Sequence, residues 1–217
     1  MSDPTLEVGE EARPAPGIGT VEQPRILVAF ATKHGSTPDV AEAVAEELRA
    51  GGAQVDVRPA SLDGDLSRYR AVVLGAPMIF GWHKDALRFI ERHRAELATK
   101  TTVYFVMAAS LTETGEERID GIPILKDPWL VKRPKDPARL GFRERYARPS
   151  EYLKKPFGKA PEVRPASVAF FAGSLDLTKM NILEKLFVTL VIAATPGDSR
   201  NFDAIREWAR GLLPLAS

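Results

Sequence analysis

The sequence predicts a doubly wound α/β domain, with five parallel strands and helices on both faces of the sheet. Three observations carry this. Apolar strand-like segments alternate with helical ones along the chain. Three of the strand segments are nearly uninterrupted apolar runs, as a sheet covered on both faces requires. The first strand runs straight into a glycine-containing loop that opens a helix.

The elements follow in order. Residues 1–23 are rich in Pro, Gly and Glu and poor in large apolar groups, so they are expected to form a disordered tail, with the folded domain spanning 24–217. Strand one is 26–31, Ile-Leu-Val-Ala-Phe-Ala. A helix over 38–51 repeats Val40, Val44 and Leu48 every four residues. Strand two, 53–58, alternates Val55 and Val57 with polar residues and reads as a half-exposed edge. Strands three (71–76), four (102–109) and five (167–173) are the apolar runs. Helices are expected over 85–98 and 201–213, the latter with Ile205, Trp208, Ala209 and Leu212 on one stripe.

Two segments exceed this plan. Residues 111–165 form a proline-containing insertion too long for an ordinary connection, and residues 126–164 carry 12 basic against 5 acidic side chains. Residues 180–194, from Met180 to Ala194, have a core stripe of Leu183, Leu186, Phe187, Leu190 and Val191, with Ile182, Val188 and Ile192 outside it. A helix of that kind needs more than one covering surface.

Composition narrows the chemistry. A 217-residue chain that is 44% hydrophobic suits one domain with an appendage. A net charge of +1 argues against a nucleic-acid binder driven by global charge and against a strongly anionic carrier surface. With no cysteine, disulfides, thiol redox chemistry and iron–sulfur clusters are excluded. Histidines at 34, 83 and 93 lack metal-ligand spacing, so no metal site is expected and any redox function needs an organic cofactor. The first residues are acidic and polar, without a basic or apolar leader, and the expectation is a cytoplasmic protein.

In an open α/β sheet, ligands bind beyond the carboxyl ends of the strands. After strand one, Thr32, Lys33, His34, Gly35, Ser36 and Thr37 form a phosphate cradle. Gly35 lets the backbone turn, the amides of residues 33–37 converge on an anion, and the helix dipole adds positive potential. Pro38 follows at the expected first helical position, where its missing N–H removes nothing from the cradle. The loop has neither the Walker spacing nor the three glycines of a dinucleotide fingerprint, and it suits a monophosphate. After strand three, Ala76, Pro77, Met78, Ile79, Phe80, Gly81 and Trp82 place polarizable and aromatic groups where a flat ring can be held, with backbone amides on its edge and Phe80 or Trp82 on its face. Ala109, Ser110 and Leu111, after strand four, supply the opposite wall.

These residues carry a family resemblance. The loop Thr32-x-His34-Gly35-Ser36-Thr37 resembles the phosphate signature of flavodoxins, and residues 75–84 resemble their flavin-ring loop. Together with Ala172-Gly173-Ser174-Leu175-Asp176, the apolar helix 181–190 and Asn201-Phe202-x-Ala204-Ile205-Arg206-Glu207-Trp208-Ala209, the chain resembles the flavodoxin-type, menaquinone-dependent protoporphyrinogen IX dehydrogenases over residues 25–213. The resemblance implies a flavodoxin-like sheet of order 2-1-3-4-5 and one noncovalent FMN. It also implies an oxidoreductase that passes electrons from an organic substrate, protoporphyrinogen IX or another, through the flavin to a quinone-type acceptor. The alternative is an electron-transfer protein that docks on a redox partner without its own turnover.

Several roles stay open in the sequence. His83 is read as a local hydrogen-bonding group at a helix start ahead of a proton donor, His34 as a phosphate contact, and His93 as a solvated surface residue. No catalytic residue is assigned. The insertion is favoured as a solvated arm, against a substrate pocket using Arg139, Arg143, Arg145 and Arg148 or a surface for anionic headgroups. Residues 180–194 are read first as a buried or dimer-seam helix and second as a peripheral membrane contact on the inner face.

Overall fold

The computed structural model describes residues 23–33, 36–78, 81–175 and 197–216. The expected tail, His34, Gly35, Ile79, Phe80 and the apolar segment 180–194 therefore lie outside the described residues, save Gln23, which is exposed.

The chain runs β1 (Arg25–Phe30), α1 (Ser36–Ala50), β2 (Gln54–Pro59), β3 (Ala71–Met78), α2 (Lys84–Arg92), α3 (Arg94–Leu97) and β4 (Thr101–Ala108). Next come β5 (Leu111–Thr112), β6 (Arg118–Ile119), β7 (Ile122–Lys126), β8 (Val131–Lys132), α4 (Phe142–Tyr146) and α5 (Pro149–Lys159). The described chain closes with β9 (Ser167–Ala172), β10 (Ser174–Leu175), β11 (Gly197–Asp198), α6 (Phe202–Arg210) and α7 (Leu213–Ala216).

The main sheet has the order β2-β1-β3-β4-β9-β7-β6. Its first five members are the five predicted strands in the order 2-1-3-4-5, all parallel. The insertion then extends the sheet, with β7 pairing parallel to β9 and β6 returning antiparallel through a turn at Asp120 and Gly121. Both turn residues have positive φ, 50° and 81°, the geometry that an Asp-Gly hairpin supplies at least strain.

Period-two alternation sorts the strands' side chains onto two covered faces. One face carries Ile26, Val28, Val73, Phe105, Met107, Ala169 and Phe171 under α1 and α6, and the other carries Leu27, Leu74, Tyr104, Val106, Val168 and Phe170 under α2 and the insertion. Gly75, in register with Phe105, lies on the first face, and only glycine fits there because a Cβ would collide with the Phe105 ring.

Four expectations need correction. The insertion is no solvated arm: Leu130, Leu153 and Ala160 are fully buried, and Tyr152 is 4% exposed, in the same core as α2. Helix α1 begins at Ser36, so Pro38 is its third residue, where an N–H would still lack an intrahelical partner. The predicted helix 85–98 breaks at His93 into α2 and α3. His93 itself is buried, with its ring 4.8 Å from that of Phe89 and Nδ1 3.0 Å from Glu96 Oε1.

Candidate functional site

The carboxyl ends of β1, β3 and β4 bring the three predicted loops to one end of the sheet. Met78 is in register with Ala108, and Phe30 with Gly75. Ala76, Pro77 and Met78 are the last residues of β3 rather than loop, because the apolar run continues pairing with Val106, Met107 and Ala108. The chain then turns sharply, since Trp82 bridges back to Met78, and Gly81 at φ 104° supplies a conformation that side-chain-bearing residues rarely adopt.

At the phosphate end, Thr32 and Ser36 are half-buried, Lys33 is exposed and Thr37 is buried at 1%. The Thr37 hydroxyl has no hydrogen-bond partner among the described residues. A buried hydroxyl left unsatisfied is costly, and this one stands on the first turn of α1, beside N–H groups that the helix itself cannot satisfy. An anion at that position fits both. Asp39, in the same turn, would repel such an anion. Its charge is offset by Arg200, whose Nη1 lies 2.6 Å from Asp39 Oδ2, while Asp198 takes the other edge of the guanidinium at 2.6 and 2.8 Å. These carboxylates hold the Arg200 pKa well above its ordinary value. The same pairs fasten β11 to the start of α1.

At the ring end, Trp82 is 5% exposed and packs edge-on to Tyr104, with centroids 5.6 Å apart, and its indole N–H has no partner among the described residues. His83 caps α2 by accepting from the Asp85 N–H through Nδ1 at 3.3 Å, which leaves the ring proton on Nε2 of the neutral form. Burial lowers its pKa. The neighbouring charges of Lys84 and Lys33 push the same way, against Asp85. Beyond β4, Ala109 is exposed and Ser110 half-buried, whereas Leu111 is fully buried as part of β5.

The insertion reaches both ring-side loops, which the sequence did not reveal. The buried Tyr152 donates its hydroxyl to the Ser110 carbonyl at 3.1 Å, and the backbone of Gly81 lies near enough to the Tyr146 hydroxyl to oppose the effect of burial on its pKa. Burial raises the pKa of both phenols, so they remain protonated. A Cβ at Gly81 would stand 3.2 Å from Lys155 Nζ, which places that cation over the same turn. Asp127, fully buried at the carboxyl end of β9, accepts from Trp129 N at 3.0 Å, Ala172 N at 3.4 Å and Asn201 Nδ2 at 3.2 Å. Asn201 in turn caps α6 through Ala204 N at 3.2 Å. One carboxylate thus joins insertion, sheet and last long helix. Only the Asp127-Pro128 turn signal marks it in the sequence.

A doubly wound sheet that gathers the start of its first helix and the loops after β3 and β4 at the carboxyl ends of its strands has the layout of a mononucleotide-binding domain. Residues 27–201 match the family model described as a flavodoxin domain, and the chain belongs to that family. Its cofactor is accordingly FMN. No curated protein matches the chain. Among solved structures, a flavodoxin from Streptococcus pneumonia is 12% identical, over 89% of this chain and 99% of that one, with a TM-score of 0.43. Flavodoxin 2 from Bacillus cereus is 13% identical, over 85% and 94%, with a TM-score of 0.44. The rubredoxin oxygen:oxidoreductase of Desulfovibrio gigas is 20% identical, over 40% of this chain and only 24% of that one, with a TM-score of 0.34.

Proposed function

We propose that this flavodoxin-family protein is an FMN-dependent oxidoreductase that takes electrons from a reduced organic substrate, protoporphyrinogen IX being the candidate that the sequence resemblance names, and passes them to a quinone-type acceptor. The observation that carries this reading is the folded insertion, whose Tyr152 holds the turn after β4 and whose Tyr146 and Lys155 stand beside the turn after β3, the two turns that would flank the flavin ring. A protein that only exchanges electrons with other proteins needs a bare ring edge, whereas a substrate site needs walls that position a small molecule and exclude water.

In this reading FMN, when bound, supplies one- and two-electron redox chemistry. The chain's own residues do the rest. The amides at the start of α1 and the Thr37 hydroxyl bind the phosphate, with Thr32, Lys33, His34, Gly35 and Ser36 forming the remainder of the cradle. Residues 76–82 and 109–111 clamp the ring. Tyr152 fixes the turn after β4, Tyr146 stands beside the turn after β3, and Lys155 places positive charge there, where it favours electron-rich forms of whatever the pocket holds. His83, neutral with its proton on Nε2, stands as a titratable donor where the ring loop meets α2.

The second reading is an electron-transfer module that docks on a redox partner, supported by membership of the flavodoxin family itself. Among the described residues no helix is long and apolar enough to cross a membrane. Access to a membrane-dissolved quinone would then be peripheral, from the cytoplasmic side, with residues 180–194 as one candidate contact. Anaerobic reduction of the FMN-loaded protein, followed by mixing with a menaquinone analogue, separates the two readings. Rapid reoxidation by the quinone is expected, and reoxidation by a carrier protein alone would favour the module.

A further inference from the structure

We propose that the loop 130–147 is a docking surface for an anionic lipid bilayer. Its two ends close on one short strand. Leu111 N donates to Leu130 O at 2.9 Å and Thr112 N to Ala147 O at 2.9 Å, so the segment leaves and returns at β5 as a compact surface loop. Glu144 braces the interior by accepting from Lys135 N at 2.8 Å and Gly141 N at 2.6 Å.

The charge of this loop is one-sided. Its carboxylates are Asp136 and Glu144, and both are turned onto backbone amides, Asp136 taking Ala138 N at 2.9 Å. Lys132, Arg133, Lys135, Arg139 and Arg145 are exposed, and none forms a salt bridge among the described residues. This differs from the neighbouring insertion cations Lys126 and Arg148, which pair with Glu113 and Glu116. A protein with a net charge of +1 has gathered an uncompensated positive field in one place.

Two aromatic rings stand on that ground. Phe142 is 70% exposed, and Trp129, one residue before the loop closes on β5, is 67% exposed. The other exposed large apolar side chains among the described residues are Leu62, Leu125 and Leu215, none of them in the loop, so no continuous apolar patch surrounds the rings. A protein partner would be recognised through a packed apolar centre with a polar rim. A solitary amphipathic indole and a lone phenyl ring among exposed cations instead suit a headgroup layer, which accepts rings singly and rewards each cation without fixed geometry.

Position gives the loop a consequence. Leu111 and Thr112, on which it closes, directly follow the ring-side residues Ala109 and Ser110, so docking would turn the ring end of the site toward the bilayer. The docking itself is independent of the proposed reaction and stands whichever acceptor the flavin serves.

The test uses the FMN-loaded full chain in flotation with vesicles of phosphatidylcholine alone, or of equal parts phosphatidylcholine and phosphatidylglycerol. Binding is expected only to the second kind, and it should weaken in about 0.5 M salt. Of the three tryptophans, Trp82 and Trp208 are 5% and 6% exposed, so a blue shift of emission on binding reports Trp129 entering the headgroup layer. Combined Lys132→Glu, Arg133→Glu and Lys135→Glu should lower vesicle affinity about a hundredfold while FMN remains bound. Trp129→Ser with Phe142→Ser should abolish the emission shift. If the charge-reversal variant loses FMN, the wild-type emission shift decides alone. Failure of the wild type to bind anionic vesicles, binding by the reversal variant equal to wild type, or binding without change in emission would each overturn the proposal. The last two would assign membrane contact to another segment. Quinone turnover with soluble analogues is read separately, so loss of one result leaves the other standing.

Discussion

The two faces of the sheet are closed by different means, and the difference divides the site. The α1 and α6 face is sealed by apolar stripes, Val40, Val44 and Leu48 from one helix and Ile205, Trp208 and Ala209 from the other. The opposite face is sealed by α2 and by the insertion, whose apolar residues are supplemented by directed polar ties at Asp127 and Tyr152. The proposed phosphate cradle belongs to the first face, because α1 begins there. The ring-side turns belong to the second, because the insertion holds them. Each half of the site should therefore fail separately.

The largest effect tests whether the insertion is as much a part of the core as α1. Leu153→Ala, at a fully buried position in α5, should cost about 2–5 kcal/mol, as should Leu48→Ala on the other face. Urea unfolding followed by circular dichroism checks this. A near-silent Leu153→Ala would return the insertion to the status of a loose arm.

Next comes the phosphate end. Thr37→Val should weaken FMN binding roughly 10- to 100-fold, the worth of a hydrogen bond to a charged group, while riboflavin, which lacks the phosphate, should bind as before. Since the hydroxyl has no partner among the described residues, the unliganded variant should be no less stable. Fluorescence titration with both ligands gives the comparison.

Tyr152→Phe addresses the ring end. Loss of its bond to the Ser110 carbonyl should cost about 1 kcal/mol, and it should weaken FMN and riboflavin alike, the converse of the Thr37 result. Equal selectivity changes in both variants would mean that the two halves are not separable.

The smallest effect concerns pH. Burial lowers the His83 pKa below its ordinary 6.5, so unfolding takes up a proton there as the medium acidifies. Its contribution to stability is complete above about pH 6.5 and is lost as pH falls from there toward the folded-state value. His83→Asn keeps an acceptor at the helix cap and removes the titration. The stability of the variant relative to wild type should rise between pH 7 and pH 5, as read from urea midpoints at each pH.

Legibility in the sequence follows the same division. The strands of the first five positions could be read because doubly covered strands are apolar throughout, as in Val72-Val73-Leu74 and Tyr104-Phe105-Val106. Their parallel order then left one place for the loops. The insertion was opaque because its prolines signal loops, yet Pro149 stands at the start of α5 and Pro156 lies inside it. β7 is an edge-side strand with alternating burial, and its shortness hides the period. Asp120-Gly121 was the missed clue, a hairpin signal between Ile119 and Ile122. His93 was misplaced because a polar residue at the end of a charged helix reads as solvated, although Phe89 one turn earlier is its packing partner. The tie from Tyr152 to Ser110 joins residues 42 positions apart in the chain, and no local pattern encodes such a contact.

The account rests on one flavin seated across both faces of this site. Its most direct test is the visible spectrum of the protein after incubation with excess FMN and removal of free ligand by gel filtration. Absorption bands near about 370 and 450 nm, at roughly one flavin per chain, are the predicted result. A colourless protein that releases all added FMN would contradict it.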